Sequence, residues 1–334
     1  MKRIVSSVEP LPEAAARLAE LGVDLRCVPS EPRDAPVPEH LSDANILFFE
    51  MPPKNFGSLP AVEWVQVTSA GYSQLFDLDL VGRGIRASNG LGNFDIPIAE
   101  WNIAMMVNLA RDLRQMIRNQ EQGVWDRSAR FQREIRGSVV GFWGYGGIGR
   151  ETARLAKQMG MRIHVLTRRG VGPRTGVYCV PGTGDPEGVL PDRVFVAGEE
   201  REFLGGLDFL VLAMPLTHKT RGIVGERELQ ALPRTAYLLN PARGPLIQEE
   251  ALLRALREGW IAGAALDAHY HYPMPPGHPL WSFPNVLMTP HISGSALSPR
   301  FAERVWDIFV QNVERFLAGR PLLNELTPDQ LRGL

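Results

Sequence analysis

The chain has 334 residues, with 36 Lys and Arg against 37 Asp and Glu, and only two cysteines. Such a balance provides no global field to recruit nucleic acid or an anionic membrane, and Cys27 and Cys179 lack the spacing of a disulfide framework or a metal site. The start, MKRIVSSVEPLPEAAARL, has no apolar core followed by a small-residue cleavage site, and no apolar run approaches the ~18 residues that span a bilayer, so a cytoplasmic protein of two domains is expected.

In chain order, KRIVSSV, VDLRCV, ANILFFE, EWVQVTSAG and GIRASN read as strands, with PEAAARLAEL as the first helix. From Pro97 a single long helical pattern runs through PIAEWNIAMMVNLARDLRQMIRNQEQG, where glycine fits a helix stop. A second strand series follows: SVVGFWG, MRIHVL, LDFLVLAMP, TAYLLNPA, IAGAALDA and NVLMTPH. Amphipathic helices such as GRETARLAKQM and QEEALLRALREG lie between them. Strands alternating with helices predict parallel sheets covered on both faces, in two α/β domains with the second starting near residue 97.

The stretch VVGFWGYGGIGRETARLAKQMGMRIHVLTRR holds G-x-G-x-x-G at Gly144, Gly146 and Gly149. By itself the hexamer is weak. Its setting, after an apolar strand and at the opening of a helix near Ile148, makes it a dinucleotide fingerprint, with Gly147 and Ile148 also at the pyrophosphate. The next strand ends in Thr167, Arg168 and Arg169, without the carboxylate that would bind ribose hydroxyls. Two guanidiniums suit a 2′-phosphate, so NADP(H) is expected over NAD(H). Residues 170–198, rich in Gly and Pro, read either as a surface insertion without consequence or as a flap over the cofactor or a dimer contact.

LLNPARGPLI puts Arg243 just after a strand, NVLMTPHISG does the same for His291, and VTSAGYS for Ala70 and Gly71. In parallel sheets these are carboxyl edges, which would face a cleft between the domains. Arginine suits a substrate carboxylate and a developing alkoxide, and histidine suits proton exchange with a carbonyl oxygen near pH 7. Small residues at 70 and 71 would let backbone amides approach a carboxylate.

The motifs TSAGY, IAEW, GYGGIG, MPLTHKTRGIVG, NPARGPLIQEEALLRALREGWIAGAALD and NVLMTPHISG resemble those of the D-isomer-specific 2-hydroxyacid dehydrogenases over most of the chain. The resemblance implies two Rossmann-like, doubly wound domains: a discontinuous substrate domain, 1–96 plus 296–334, and a cofactor domain, 97–295, through which members dimerise. It implies hydride transfer between a nicotinamide cofactor and a small 2-oxo or D-2-hydroxy acid. Arg243 would bind substrate and act in catalysis, with His291 as proton donor and acceptor. Met214, Pro215, Thr220, Pro241, Ala242, Asp267 and Ser293 would border the cofactor. Met51 and Trp281 are candidate substrate contacts, as are Lys54 and Phe56; no metal is expected.

One departure stands out. Five residues beyond Asp267, where the family carries the glutamate that pairs with the histidine, this chain has Tyr272, flanked by His269 and His271. Without a carboxylate, His291 is expected to lose the pKa elevation such a neighbour provides, while a tyrosine hydroxyl can still hold the ring by a hydrogen bond. Formate dehydrogenases of the family also lack the glutamate, but their other hallmarks are not evident in SNGLGNFDIPIAEW. The alternatives are an altered substrate or a non-catalytic, dinucleotide-sensing regulator, against which the retention of Arg243 and His291 speaks.

Overall fold

The computed structural model describes residues 1–35, 41–55, 58–128, 132–168 and 170–333. The chain divides into two compact units, one of residues 1–94, 175–180 and 296–334, the other of residues 95–174 and 181–295. The expected α/β class with two parallel sheets is what the structure has.

The first unit opens with β1 (Arg3–Ser6), α1 (Pro12–Glu20), β2 (Asp24–Cys27), β3 (Ile46–Phe49), β4 (Trp64–Val67) and β5 (Arg86–Ser88). These strands form a parallel sheet in the order β2-β1-β3-β4-β5. Side chains alternate between two cores. Ile46, Phe48 and Trp64 join one, and Leu47, Phe49, Val65 and Val67 the other. Both faces are covered, so β3 and β4 are continuous apolar runs rather than alternating ones.

The second unit contains α2 (Asp95–Ala110), α3 (Leu113–Glu121), β6 (Val139–Trp143), α4 (Gly147–Gln158), β7 (Arg162–Thr167), β8 (Arg193–Val196), α5 (Glu200–Gly205), β9 (Phe209–Leu212), α6 (Glu226–Ala231), β10 (Tyr237–Asn240), α7 (Glu249–Glu258), β11 (Gly263–Leu266) and β12 (Val286–Met288). Its seven-stranded parallel sheet runs β12-β11-β10-β9-β6-β7-β8. Strand order reverses between β6 and β9, the switch point beside which doubly wound sheets bind ligands. The chain then closes the first unit with α8 (Pro299–Leu317) and α9 (Pro328–Leu331). Trp306, Phe309 and Val313 of α8 pack against Ile46, Phe48 and Trp64, with the Phe309 ring stacked on Phe48 at 4.1 Å between centroids.

One expectation needs correction. The single long helix after Pro97 is two helices, because Asp112 takes a left-handed conformation (φ 47°) that ends one and begins the other. Aspartate tolerates that region better than most residues, and helical periodicity alone does not reveal the break. The Gly- and Pro-rich stretch 170–198 also holds an edge strand, β8, whose pattern is mostly exposed, with only Phe195 buried.

Candidate active site

At the switch point the five residues of β6 are all buried, and the chain leaves through Gly144 at φ +93°. A side chain there would strike the Ala213 carbonyl at 2.6 Å, and Gly144 N–H donates to Leu166 O at 2.9 Å, so the turn is wedged between the ends of β7 and β9. Gly147 is equally constrained, since a Cβ would overlap the Asp95 carboxylate. Gly146 is different. Its backbone is extended, and a Cβ would meet no atom of the described residues within 4 Å. Among the described residues no contact requires a glycine at 146; a cofactor phosphate lying against the backbone would. Its place at the N-cap of α4, without a side-chain cap, leaves helix-terminal amides for such an anion. This turn fits a dinucleotide.

At the end of β7, Thr167 Oγ1 donates to Gly170 O at 2.9 Å, and Arg168 is exposed with no ion pair among the described residues. Arg169, expected beside it, lies outside the described residues. The following excursion is anchored on the glycine turn. Tyr145 Oη donates to Asp185 at 2.8 Å, and Arg150, buried and stacked on the Tyr145 ring, donates to the carbonyls of Tyr145, Gly172 and Asp185.

Three strand ends form the second half of the site. After β10, the buried Asn240 accepts from Ala242 N–H at 3.1 Å and donates to Arg243 O at 2.9 Å, fixing the turn from which Arg243 projects, exposed. Next to it, a Cβ on Gly244 would lie 2.3 Å from His269 O, so this turn abuts the one after β11. There Asp267, fully buried, accepts from Thr289 Oγ1 (2.6 Å), Ile292 N–H (2.9 Å), Ser293 N–H (3.1 Å) and the Ser293 hydroxyl. Trp101 Nε1 in turn donates to Thr289 Oγ1 at 3.1 Å. The loop after β12 thus hangs from one carboxylate. Within it His291 adopts φ +59°, a conformation histidine tolerates better than most residues.

Tyr272 completes the corner. Its hydroxyl lies 2.8 Å from His291 Nδ1 and accepts the His269 backbone N–H at 3.0 Å. The buried His269 ring bonds through Nε2 to Thr289 O at 2.8 Å, so it supports the loop rather than facing outward. Burial pushes the His291 pKa below its ordinary value, the Arg243 guanidinium and then His269 push in the same direction, and Asp267 opposes them. Part of His291 is open to solvent, which tempers the desolvation.

The sequence-identified residues fall into distinct groups. Asp267, Tyr272, His291 and Ser293 are linked through the contacts above, and Arg243 acts on His291 through its charge. Pro241 is buried under the Arg243 turn, next to Ala242. Met214 joins the core beneath the sheet edge, while Thr220 Oγ1 donates to Pro215 O at 2.7 Å and closes that turn. Trp281 is half exposed, and its indole donates to Pro275 O at 2.9 Å. In the first unit, Asn89 Nδ2 donates to Ala70 O and Ser69 Oγ to Gly71 O, both at 2.7 Å, while Met51 is exposed. Lys54 pairs with Asp34 at 3.1 Å, and Phe56 lies outside the described residues. His271 points to Glu249, not to His291. Sequence reading missed Asn240, Thr289 and Trp101, whose side chains act through contacts distant in sequence or through a turn of their own.

The D-isomer specific 2-hydroxyacid dehydrogenase NAD-binding-domain model matches residues 103–293. A glyoxylate reductase of Thermofilum pendens is 30% identical over 264 residues, 78% of this chain and 73% of that protein. A glycerate dehydrogenase of Methylorubrum extorquens is 28% identical over 294 residues, 85% of this chain and 86% of that one. Among solved structures, a D-isomer specific 2-hydroxyacid dehydrogenase of Xanthobacter autotrophicus in complex with NADPH and MES superposes with a TM-score of 0.78 at 26% identity, covering 99% of each chain. With the fingerprint turn and the Arg243–His291 corner, these matches place the chain in the D-isomer specific 2-hydroxyacid dehydrogenase family, oxidoreductases that move a hydride between a nicotinamide cofactor and a 2-oxo or 2-hydroxy acid.

Proposed function

We propose that this protein is an NADP(H)-preferring reductase of small 2-oxo acids of the glyoxylate and hydroxypyruvate type, in which a tyrosine takes the place of the histidine's carboxylate partner. The observation that carries the reading is the 2.8 Å contact between Tyr272 Oη and His291 Nδ1, which orients the imidazole without a negative charge. Supporting the cofactor preference are Arg168, exposed at the end of β7, the absence of a carboxylate there, and NADPH in the Xanthobacter relative. The substrate class rests on relatives named glyoxylate reductase and glycerate dehydrogenase.

The nicotinamide, when bound, supplies or receives the hydride. Arg243 holds the substrate carboxylate and offsets charge developing on the carbonyl oxygen. His291 Nε2, on the ring edge opposite Tyr272, gives a proton to that oxygen in reduction and removes one in oxidation. Tyr272 can serve both protonation states, because its hydroxyl donates to Nδ1 or accepts from it. Asp267 holds the 289–293 loop in place and, in this reading, borders the nicotinamide together with Ser293. Ala70, Gly71 and Met51 carry substrate contacts in this reading, with Trp281 shaping selectivity. The second unit is the cofactor domain and the first the substrate domain; a cytoplasmic homodimer is part of the same proposal, by family analogy.

Absorbance of NADPH and NADH, followed with glyoxylate, hydroxypyruvate, pyruvate and phenylpyruvate between pH 5 and 8, tests it. Turnover with NADPH that rises as pH falls supports the reading. Cofactor binding without reduction of any of these acids at any pH would overturn it in favour of a changed substrate, the reading Tyr272 otherwise invites.

A further inference from the structure

Outside the catalytic corner, the segment 271–278 is held against α7 by a second group of polar side chains. Glu249 Oε1, in the first turn of α7, lies 2.7 Å from His278 Nε2 and 3.9 Å from His271 Nε2. All three ligand-capable atoms fall within 4.8 Å of one another. We propose that Glu249, His271 and His278 form a binding site for a divalent transition-metal cation of the Zn²⁺ type, which staples both ends of the Tyr272-bearing segment to α7.

Two imidazoles and a carboxylate are the donor set that zinc and its neighbours take, with bonds of about 2.0–2.1 Å and near-tetrahedral angles. Tetrahedral bonds of that length place donor atoms roughly 3.3 Å apart. The two distances to Glu249, 2.7 and 3.9 Å, bracket this value, and the His271–His278 pair, within 4.8 Å, closes to it as the half-exposed His271 swings inward. His271 is half exposed, and its side chain can swing toward the other two while water takes the fourth position. His278 is mostly buried and fixed, giving the site one rigid ligand.

The tautomer of His278 has to change. In the structure its Nδ1 accepts Leu280 N–H at 3.3 Å, which places the ring proton on Nε2, facing Glu249. Ligation through Nε2 moves that proton to Nδ1, gives up the 3.3 Å bond from Leu280, and replaces the direct bond to Glu249 by bonds from both groups to the metal. The loss to the backbone is that of one weak hydrogen bond. A three-ligand chelate exceeds that readily.

Metal binding at this group is independent of substrate and of turnover. After dialysis against a chelator, the full-length protein is titrated with Zn²⁺ by calorimetry at pH 7.5, and with Co²⁺ by visible absorption. One ion per chain, an intense tetrahedral Co²⁺ spectrum and a raised Tm are expected. His271→Ala and Glu249→Gln should each weaken binding by more than about tenfold, as changes even to outer-shell partners of metal ligands do. Both residues are at least partly exposed, so the variants should fold. Tyr272→Phe should leave Zn²⁺ affinity unchanged, which separates this group from a site around His291. Binding that survives His271→Ala, or no binding at all, would overturn the proposal and leave Glu249–His278 as an ordinary structural contact.

Discussion

The Tyr272 hydroxyl sits between two nitrogens of opposite character: it accepts from the backbone N–H of His269 at 3.0 Å and meets Nδ1 of His291 at 2.8 Å. With one lone pair engaged by His269, the simplest arrangement sends the phenolic proton to His291 Nδ1, which stabilises the neutral imidazole. A carboxylate in the same place could only accept, and would stabilise the imidazolium. A tyrosine here therefore keeps a hydrogen-bonded partner for the imidazole and reverses its electrostatic preference. Two variants separate these effects. Tyr272→Phe removes the bond and should lower kcat by about tenfold or more, a fraction of the 10²–10⁴ that a positioned acid–base group contributes. Tyr272→Glu should restore an orienting partner while raising the pKa seen in kcat/KM by about one unit or more. Equal pH profiles for wild type and Tyr272→Glu would contradict the assignment.

The pH dependence follows from the same ring. Burial, Arg243 and His269 hold the His291 pKa below its ordinary value. With His291 as the proposed acid, reduction needs the protonated ring, so kcat/KM for a 2-oxo acid should fall as pH rises through a value below about 6.5. Oxidation of the 2-hydroxy acid needs the neutral ring and should reach its plateau in the same range. For stability the sign is that of a depressed histidine: its contribution is present above the unfolded value and is lost as pH falls through it toward the folded one. Initial rates in both directions between pH 5 and 8 check the first two statements, and Tm measured over that window for wild type and His291→Gln checks the third.

Much of this corner was legible in the sequence because its parts sit in short motifs at strand ends. Gly144, Arg243 and His291 each follow an apolar run, and parallel strands carry such positions to one edge. What supports them was not legible. Asn240 acts on its own turn, Trp101 reaches Thr289 from a helix far back in the chain, and Gly244 matters because the His269 carbonyl comes so close. None of these leaves a periodic signature. Asp112 shows the same limit in the fold, since one left-handed residue divides a helical pattern that is otherwise continuous. Likewise, His271 is adjacent to Tyr272 in sequence, yet its side chain belongs to the Glu249 group.

Asp267 provides a test of support as distinct from chemistry. Its two oxygens receive two hydroxyls and two backbone N–H groups, all from residues 289–293. In Asp267→Asn the amide must turn its NH₂ toward one pair of donors, leaving them unsatisfied in a buried site. The expected loss of stability is about 1–3 kcal/mol. Because His291 lies in the loop so released, kcat should fall as well. Thermal unfolding and kcat measured on the same preparation decide the matter: a large loss of kcat at unchanged Tm would assign Asp267 a direct chemical role instead.

The end of β7 sets the last expectation. Thr167 turns back onto Gly170, which leaves Arg168 exposed at the carboxyl edge of the strand, where doubly wound domains meet the adenosine ribose. A guanidinium there recognises a 2′-phosphate with charge-assisted bonds, whereas a carboxylate accepts from ribose hydroxyls and repels the phosphate. Arg168→Asp should therefore raise KM for NADPH by about tenfold or more, the equivalent of about 1.4 kcal/mol, while NADH use improves or is unaffected. kcat with saturating cofactor should change little, since a residue at the adenosine ribose is remote from the hydride. Steady-state kinetics with both cofactors at fixed 2-oxo acid give the ratio of kcat/KM values directly. If wild type and Arg168→Asp show the same ratio, discrimination between the cofactors lies elsewhere, and the preference for NADPH inferred from this strand end fails.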